Sequence, residues 1–299
     1  MRIVTLLPAA TEIVAALGAI DELVAVSHEC DHPAAVAGRP RITVTPIDVS
    51  RPGAEIDAEV RRLRAAGRPV IGVDATALRA LAPDLIVTQA LCDVCAVADG
   101  EVVALARALD PVPRVLTLGG RTLAAVLDDI RAVGEAIGCR GEATRLVAGL
   151  ATRLGALAEG RPARAPRVLC IEWLEPPYVA GHWVPDLVAA AGGVDVAARS
   201  GDHSRVVPWG ELRALAPDVI VVALCGFGTS RAREELARLT DPDALALLAG
   251  APVWLLDGNA YTSRPGPRLV DAAELLAGLL RGAPSGELVR WRVPAGAHA

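Results

Sequence analysis

Leu78-Arg79-Ala80-Leu81-Ala82-Pro83-Asp84 recurs letter for letter as Leu212-Arg213-Ala214-Leu215-Ala216-Pro217-Asp218. Each copy runs into a β-branched stretch, Leu85-Ile86-Val87 in the first and Val219-Ile220-Val221-Val222 in the second. Each stretch then leads to Ala-Leu-Cys, at Cys92 and Cys225, with one residue of slippage. The likeness extends outward. Arg2-Ile3-Val4-Thr5-Leu6 corresponds to Arg167-Val168-Leu169-Cys170-Ile171, and each leads into an apolar helical pattern closed by glycine, at Gly18 and at Gly192-Gly193. Arg114-Val115-Leu116-Thr117-Leu118 and Pro252-Val253-Trp254-Leu255-Leu256 also correspond, each preceding a loop and a long helical pattern.

Continuous apolar strands alternating with amphipathic helices mark parallel α/β units, whose sheets are covered on both faces. The expected fold is therefore two similar Rossmann-like α/β lobes with mainly parallel sheets, residues 1–120 and 161–299. Helical spacing of apolar residues over 122–137 and 142–159 predicts a helical connection across 121–160. Open parallel sheets bind ligands beyond the C-terminal ends of their strands, so a ligand cleft between the lobes is expected.

Composition narrows the function. Hydrophobic residues make up 53% of the 299 and charged residues 22%, a globular balance. A formal net charge of −5 lacks the basic excess that binding a phosphate backbone needs, so no nucleic-acid partner is expected. All 30 basic residues are Arg, which excludes a P-loop lysine and any Schiff base. No uncharged apolar run reaches the roughly 18 residues of a membrane span, and the N-terminus reads as a first strand. The chain as written is expected in the cytoplasm, or in the periplasm or outside the cell if a leader has been removed.

The strand-end segments hold the chemistry. In the first lobe they supply Pro8, Thr11, Glu12, His28 and Gln89; in the second, Trp173, Tyr178, His182, Trp183, Phe227, Asn259, Tyr261 and Arg264. All eight aromatic residues lie at or after Trp173, so the second lobe reads as a stacking platform for a ring ligand. Asn259 and Arg264 have amide and guanidinium groups suited to amides or carboxylates on such a ligand. Cys30, Cys92, Cys95 and Cys225 fall in the same segments, and thiolates there suit zinc or an iron–sulfur cluster. Packing as small hydrophobes explains each thiol equally well. Cys139 and Cys170 read as structural.

With Leu6-Leu7-Pro8-Ala9-Ala10-Thr11-Glu12, Pro176-Pro177-Tyr178-Val179-Ala180-Gly181 and Arg264-Pro265-Gly266-Pro267-Arg268, the chain resembles the vitamin B12 and iron-siderophore binding proteins of ABC importers. The subgroup labelled cobalamin-binding also carries the His-Glu-Cys-Asp, Cys-Asp-Val-Cys and Asp-Gly-Asn-Ala-Tyr segments found at His28, Cys92 and Asp257. The resemblance implies a two-lobed binder of cobalamin or a related corrinoid or metal chelate, without chemistry. It also implies docking on a permease through an acidic residue of each lobe, for which Glu101 and Glu234 are placed nine residues after Cys92 and Cys225. The competing expectation is a metal- or iron–sulfur-dependent enzyme or redox protein built on the four cysteines. A Ser-His-Asp hydrolase is disfavoured, because no Gly-x-Ser-x-Gly elbow occurs.

Overall fold

The computed structural model describes residues 1–91 and 99–293. The chain divides into two compact units. Unit 1 comprises Met1–Arg51, Ala58–Gly120 and Ala124–Gly149; unit 2 comprises Pro52–Asp57, Arg121–Leu123 and the chain from Leu150 onward.

Through the first half, the strands are β1 (Ile3–Thr5), β2 (Leu23–Ala25), β3 (Thr43–Val44), β4 (Gly72–Val73), β5 (Leu85–Gln89) and β6 (Arg114–Leu118). The helices there are α1 (Pro8–Ala16), α2 (Gly53–Ala65), α3 (Ala75–Leu81), α4 (Asp99–Arg107), α5 (Leu123–Ala136) and α6 (Arg140–Ala156). The second half adds β7 (Arg167–Leu174), β8 (Pro177–Val179), β9 (Val194–Asp195), β10 (Arg205–Val206), β11 (Val219–Val222), β12 (Val253–Leu255) and β13 (Val289–Trp291). Its helices are α7 (Val184–Ala190), α8 (Trp209–Ala214), α9 (Thr229–Arg238), α10 (Pro242–Gly250), α11 (Gly258–Tyr261) and α12 (Leu269–Leu280).

The sheet of unit 1 runs β2-β1-β5-β6, parallel throughout, with β3 and β4 forming a separate antiparallel pair. The sheet of unit 2 runs β10-β8-β7-β11-β12-β13, and its parallel centre is β7-β11-β12. Both central strands, β5 and β11, are buried along their whole length, which is why they read as unbroken apolar runs. The two-lobed α/β fold read from the repeat is the fold observed.

The repeated heptapeptide is a structural clasp. In unit 1 the Arg2 amide donates to Asp84 Oδ2 at 2.7 Å, and Arg2 Nε donates to the Leu81 carbonyl at 2.8 Å. In unit 2 the Arg167 amide donates to Asp218 Oδ2 at 2.8 Å, and Arg167 Nη2 donates to the Leu215 carbonyl at 2.7 Å. Leu78 and Leu212 are the buried anchors, 1% and 0% exposed. Even the backbone repeats, with Ala82 at φ 40° and Ala216 at φ 44°, each followed by the motif's proline. Equal clasps give equal registers, Ile3 opposite Leu85 and Val168 opposite Val219.

The closing glycines also match. Gly18 and Gly192 sit at φ 80° and 91°, where a side chain is strained, and the next amides, Ala19 and Gly193, reach back to the Val14 and Val188 carbonyls.

Two departures from the repeat distinguish unit 2. The connection between β1 and α1 is direct, whereas β7 runs on to Leu174 and folds back as β8 before α7 begins. Trp173 and Tyr178, expected on loops, are therefore cross-strand partners in a hairpin. The second departure is β9, whose Asp195 stands opposite Val168, while its counterpart in unit 1 is Leu23, opposite Ile3. Asp195 Oδ1 accepts the amides of Ala197 and Ala198 at 2.9 Å, Oδ2 is sealed, and burial pushes its pKa up to about 6.

Candidate functional site

The strand ends of unit 1 form a compact polar network. Pro8 opens α1, where its missing N–H costs nothing, and one turn on Thr11 is fully buried. The Thr11 hydroxyl lies 2.6 Å from that of Thr5 and 3.0 Å from Cys30 Sγ. The Cys30 thiol, 1% exposed, is thus packed against a hydroxyl. Next to it, the Ser27 and Thr43 hydroxyls are 3.0 Å apart, and Thr43 Oγ1 receives the His28 amide and stands 2.6 Å from His28 Nδ1. Burial first, then the Arg41 guanidinium, holds His28 below the usual histidine range, so it is neutral at physiological pH. Glu12 and Gln89 are buried at 4% and 7% exposure.

Unit 2 presents rings instead. Trp173 lies against Phe227 with centroids 5.2 Å apart at 39°, and the Arg231 guanidinium sits 5.2 Å from the Phe227 ring centre. Below them, Glu235 is 4% exposed and accepts from Arg231 at 2.9 Å, from Arg238 at 2.8 Å and from the Gly53 amide at 2.9 Å. A Cβ at position 53 would come within 3.2 Å of that carboxylate and 3.4 Å of the Trp173 ring, so glycine allows the approach. A narrow recess is left among Gly53, Ala54, Trp173, Leu174, Glu175, Leu224, Phe227 and Glu235. The indole nitrogen of Trp173 is buried without a hydrogen-bond partner among the described residues.

The other rings do not converge on that pocket. Trp183, 7% exposed, donates its Nε1–H to the Thr262 carbonyl at 2.8 Å and so packs α7 onto the end of α11. Tyr261 lines a separate recess with Asp271 and Glu274, both ion-paired to Arg153. Burial and the carboxylates of Glu287 and Asp271 push its phenol above the usual range. Arg264, 3% exposed, donates to Asn259 Oδ1 at 2.8 Å, so these two candidate contacts meet each other. His182 lies at the entry to α7 and Tyr178 is half-buried in β8.

Cys92 and Cys95 lie outside the described residues. Cys225, part-exposed, gives its amide to the Glu172 carbonyl. Among the described residues, no group of three or more His, Cys, Asp or Glu side chains is placed to hold a metal ion. Cys170 is sealed within β7 and Cys139 sits before α6, and burial raises both thiols. Glu101 is the third residue of α4; Glu234 is exposed on α9 with Arg231 at 3.6 Å.

The residues that sequence reading missed are Gly53, Glu235, Thr43, Arg41 and His203. For Glu235 a signal existed, since Arg231 and Arg238 flank it at i−4 and i+3 on one helix face. For Gly53 no local signal exists, because its partner lies 182 residues away.

A family profile described as periplasmic binding protein matches residues 3–246. Among solved structures, a periplasmic heme binding protein from Pseudomonas aeruginosa superposes at TM-score 0.74 with 21% identity, covering 98% of this chain and 99% of that one. The periplasmic heme-binding protein RhuT from Roseiflexus sp. RS-1 gives 0.68 with 24% identity over 94% and 98%. The periplasmic vitamin B12 binding protein BtuF of Vibrio cholerae gives 0.65 with 21% identity over 94% and 97%. At these identities the likeness is one of fold. No curated protein sequence matches significantly. No helix among the described residues is long and apolar enough to cross a membrane.

Proposed function

Because the chain belongs to the periplasmic binding protein family, matched over residues 3–246, we propose that it is the substrate-binding component of an ABC importer. Its cargo in this reading is a macrocyclic metal chelate, cobalamin or a related corrinoid, held at the strand ends. The observation that carries it is the Trp173–Phe227 ring pair, whose indole N–H has no partner among the described residues. A ring ligand supplies both a stacking face and an amide or carboxylate acceptor for that N–H, which otherwise costs about 1–3 kcal/mol. The neutral imidazole of His28 is in the protonation state suited to an axial ligand of the chelated metal.

In this reading the protein works in the periplasm, as the family description supports, rather than in the cytoplasm. Glu101 and Glu234 are the proposed contacts with the permease; Glu234 is exposed, and its Arg231 partner has Glu235 to fall back on. Cys30 Sγ lies 3.0 Å from the Thr11 hydroxyl, a contact that a packed thiol explains.

Calorimetric titration with cyanocobalamin and with hemin, on protein purified without oxygen and assayed for metal, tests the proposal. Saturable one-to-one binding of either macrocycle by metal-free protein is expected. Stoichiometric zinc or iron with no macrocycle binding would overturn it in favour of the cysteine-centred reading.

A further inference from the structure

We propose that His182, His203 and Arg121 form an anion-recognition subsite of unit 2, taking a carboxylate or phosphate group carried by the ligand. It rests on the reading above only for what carries that group. His182 lies in the crossover from β7 to α7, the kind of connection where open α/β sheets receive ligands. Its backbone is left-handed at φ 54°, held by its own amide on the Asp202 carbonyl at 2.6 Å and by the Gly201 amide on its carbonyl at 2.9 Å. A residue with a Cβ adopts this conformation at a cost of about 1 kcal/mol. Here it sets the imidazole edge-on to His203, with centroids 5.5 Å apart at 87°.

The contacts of Nδ1 leave Nε2 as the available nitrogen. Ser204 Oγ accepts the Gly181 amide at 3.2 Å and stands 3.5 Å from His182 Nδ1. Nε2 is buried without a partner among the described residues, and in the proposed subsite the Ser204 hydroxyl proton turns to Nδ1 so that Nε2 carries the hydrogen. The charged groups acting on the ring are His203 and Arg121, both basic; with burial as the largest cause, they lower its pKa. Arg121 is brought close by its neighbours: Thr122 lies against Gly201, and the Leu123 amide donates to Asp186 at 2.8 Å. Of the nearby carboxylates, Asp186 accepts that amide and Asp202 is exposed to solvent. Two imidazoles and a guanidinium offer N–H donors to an anion, which bonds to Nε2–H and turns the neighbours' repulsion into attraction.

The test is NMR titration of the intact chain labelled at histidine Cε1, in chloride and in inorganic phosphate at equal ionic strength. Phosphate is expected to raise the His182 pKa by about half a unit or more, and Arg121→Ala to abolish most of the rise. The exposed His32 serves as the control. Identical His182 titrations in the two salts overturn the subsite. Zinc protoporphyrin and its dimethyl ester then separate sources. A rise with the free acid alone assigns the anion to the ligand; a phosphate effect with no rise from the free acid overturns that assignment. If phosphate acts while neither cobalamin nor any porphyrin binds, the importer reading fails and the anion site stands.

Discussion

Units 1 and 2 are alike where their strands begin and unlike where they end. At the N-terminal ends, Arg2–Asp84 and Arg167–Asp218 form the same clasp to within 0.1 Å. At the C-terminal ends, unit 1 has a network of small hydroxyls, a thiol and an imidazole, whereas unit 2 has a hairpin carrying Trp173 against Phe227. The clasp is repeated because each sheet must set its register, and register is indifferent to ligand.

If the repeat is a structural device, equal substitutions in the two units must act equally. Leu78→Ala and Leu212→Ala each remove a fully buried side chain and are expected to cost about 2–5 kcal/mol, by chemical denaturation. A cost confined to one of them would break the equivalence.

Asp195 sharpens the comparison, since it stands where unit 1 has Leu23. Its folded pKa is raised to about 6, so folding favours the protonated form, and its stability contribution falls as pH rises from the unfolded value through 6. Asp195→Asn keeps an acceptor for the Ala197 and Ala198 amides and is expected to stabilise the protein by about 1–3 kcal/mol at pH 7. The gain should vanish below about pH 4. A gain that persists in acid would place its origin elsewhere.

The smallest expected effect concerns the clasp itself. Asp84→Ala and Asp218→Ala each delete one partly solvated acceptor and should cost about 1 kcal/mol, again equally. Thermal melts of the pair measure this.

The same asymmetry governs what the sequence discloses. The clasp, the closing glycines and the buried strands are local patterns, legible because β-branched runs and helix ends carry their physics within a few residues. The β7–β8 hairpin was hidden because Pro176-Pro177 reads as a loop, although proline is at home at the first residue of a strand. Which rings share a pocket was hidden as well: Trp173 meets Phe227, Trp183 is tied to Thr262, and Tyr261 faces another recess. Those choices depend on partners 54 and 79 residues away, and spacing along the chain does not encode them. The Cys30–Thr11 contact is of the same kind.

The most direct test of the central claim, that the rings of unit 2 hold the ligand, is the affinity of wild type, Trp173→Ala and Thr11→Ala for the macrocycle that titrates best. A loss of about tenfold or more is expected for Trp173→Ala, with folding confirmed by circular dichroism, and a change within about threefold for Thr11→Ala. Unchanged affinity in a folded Trp173→Ala variant would contradict it.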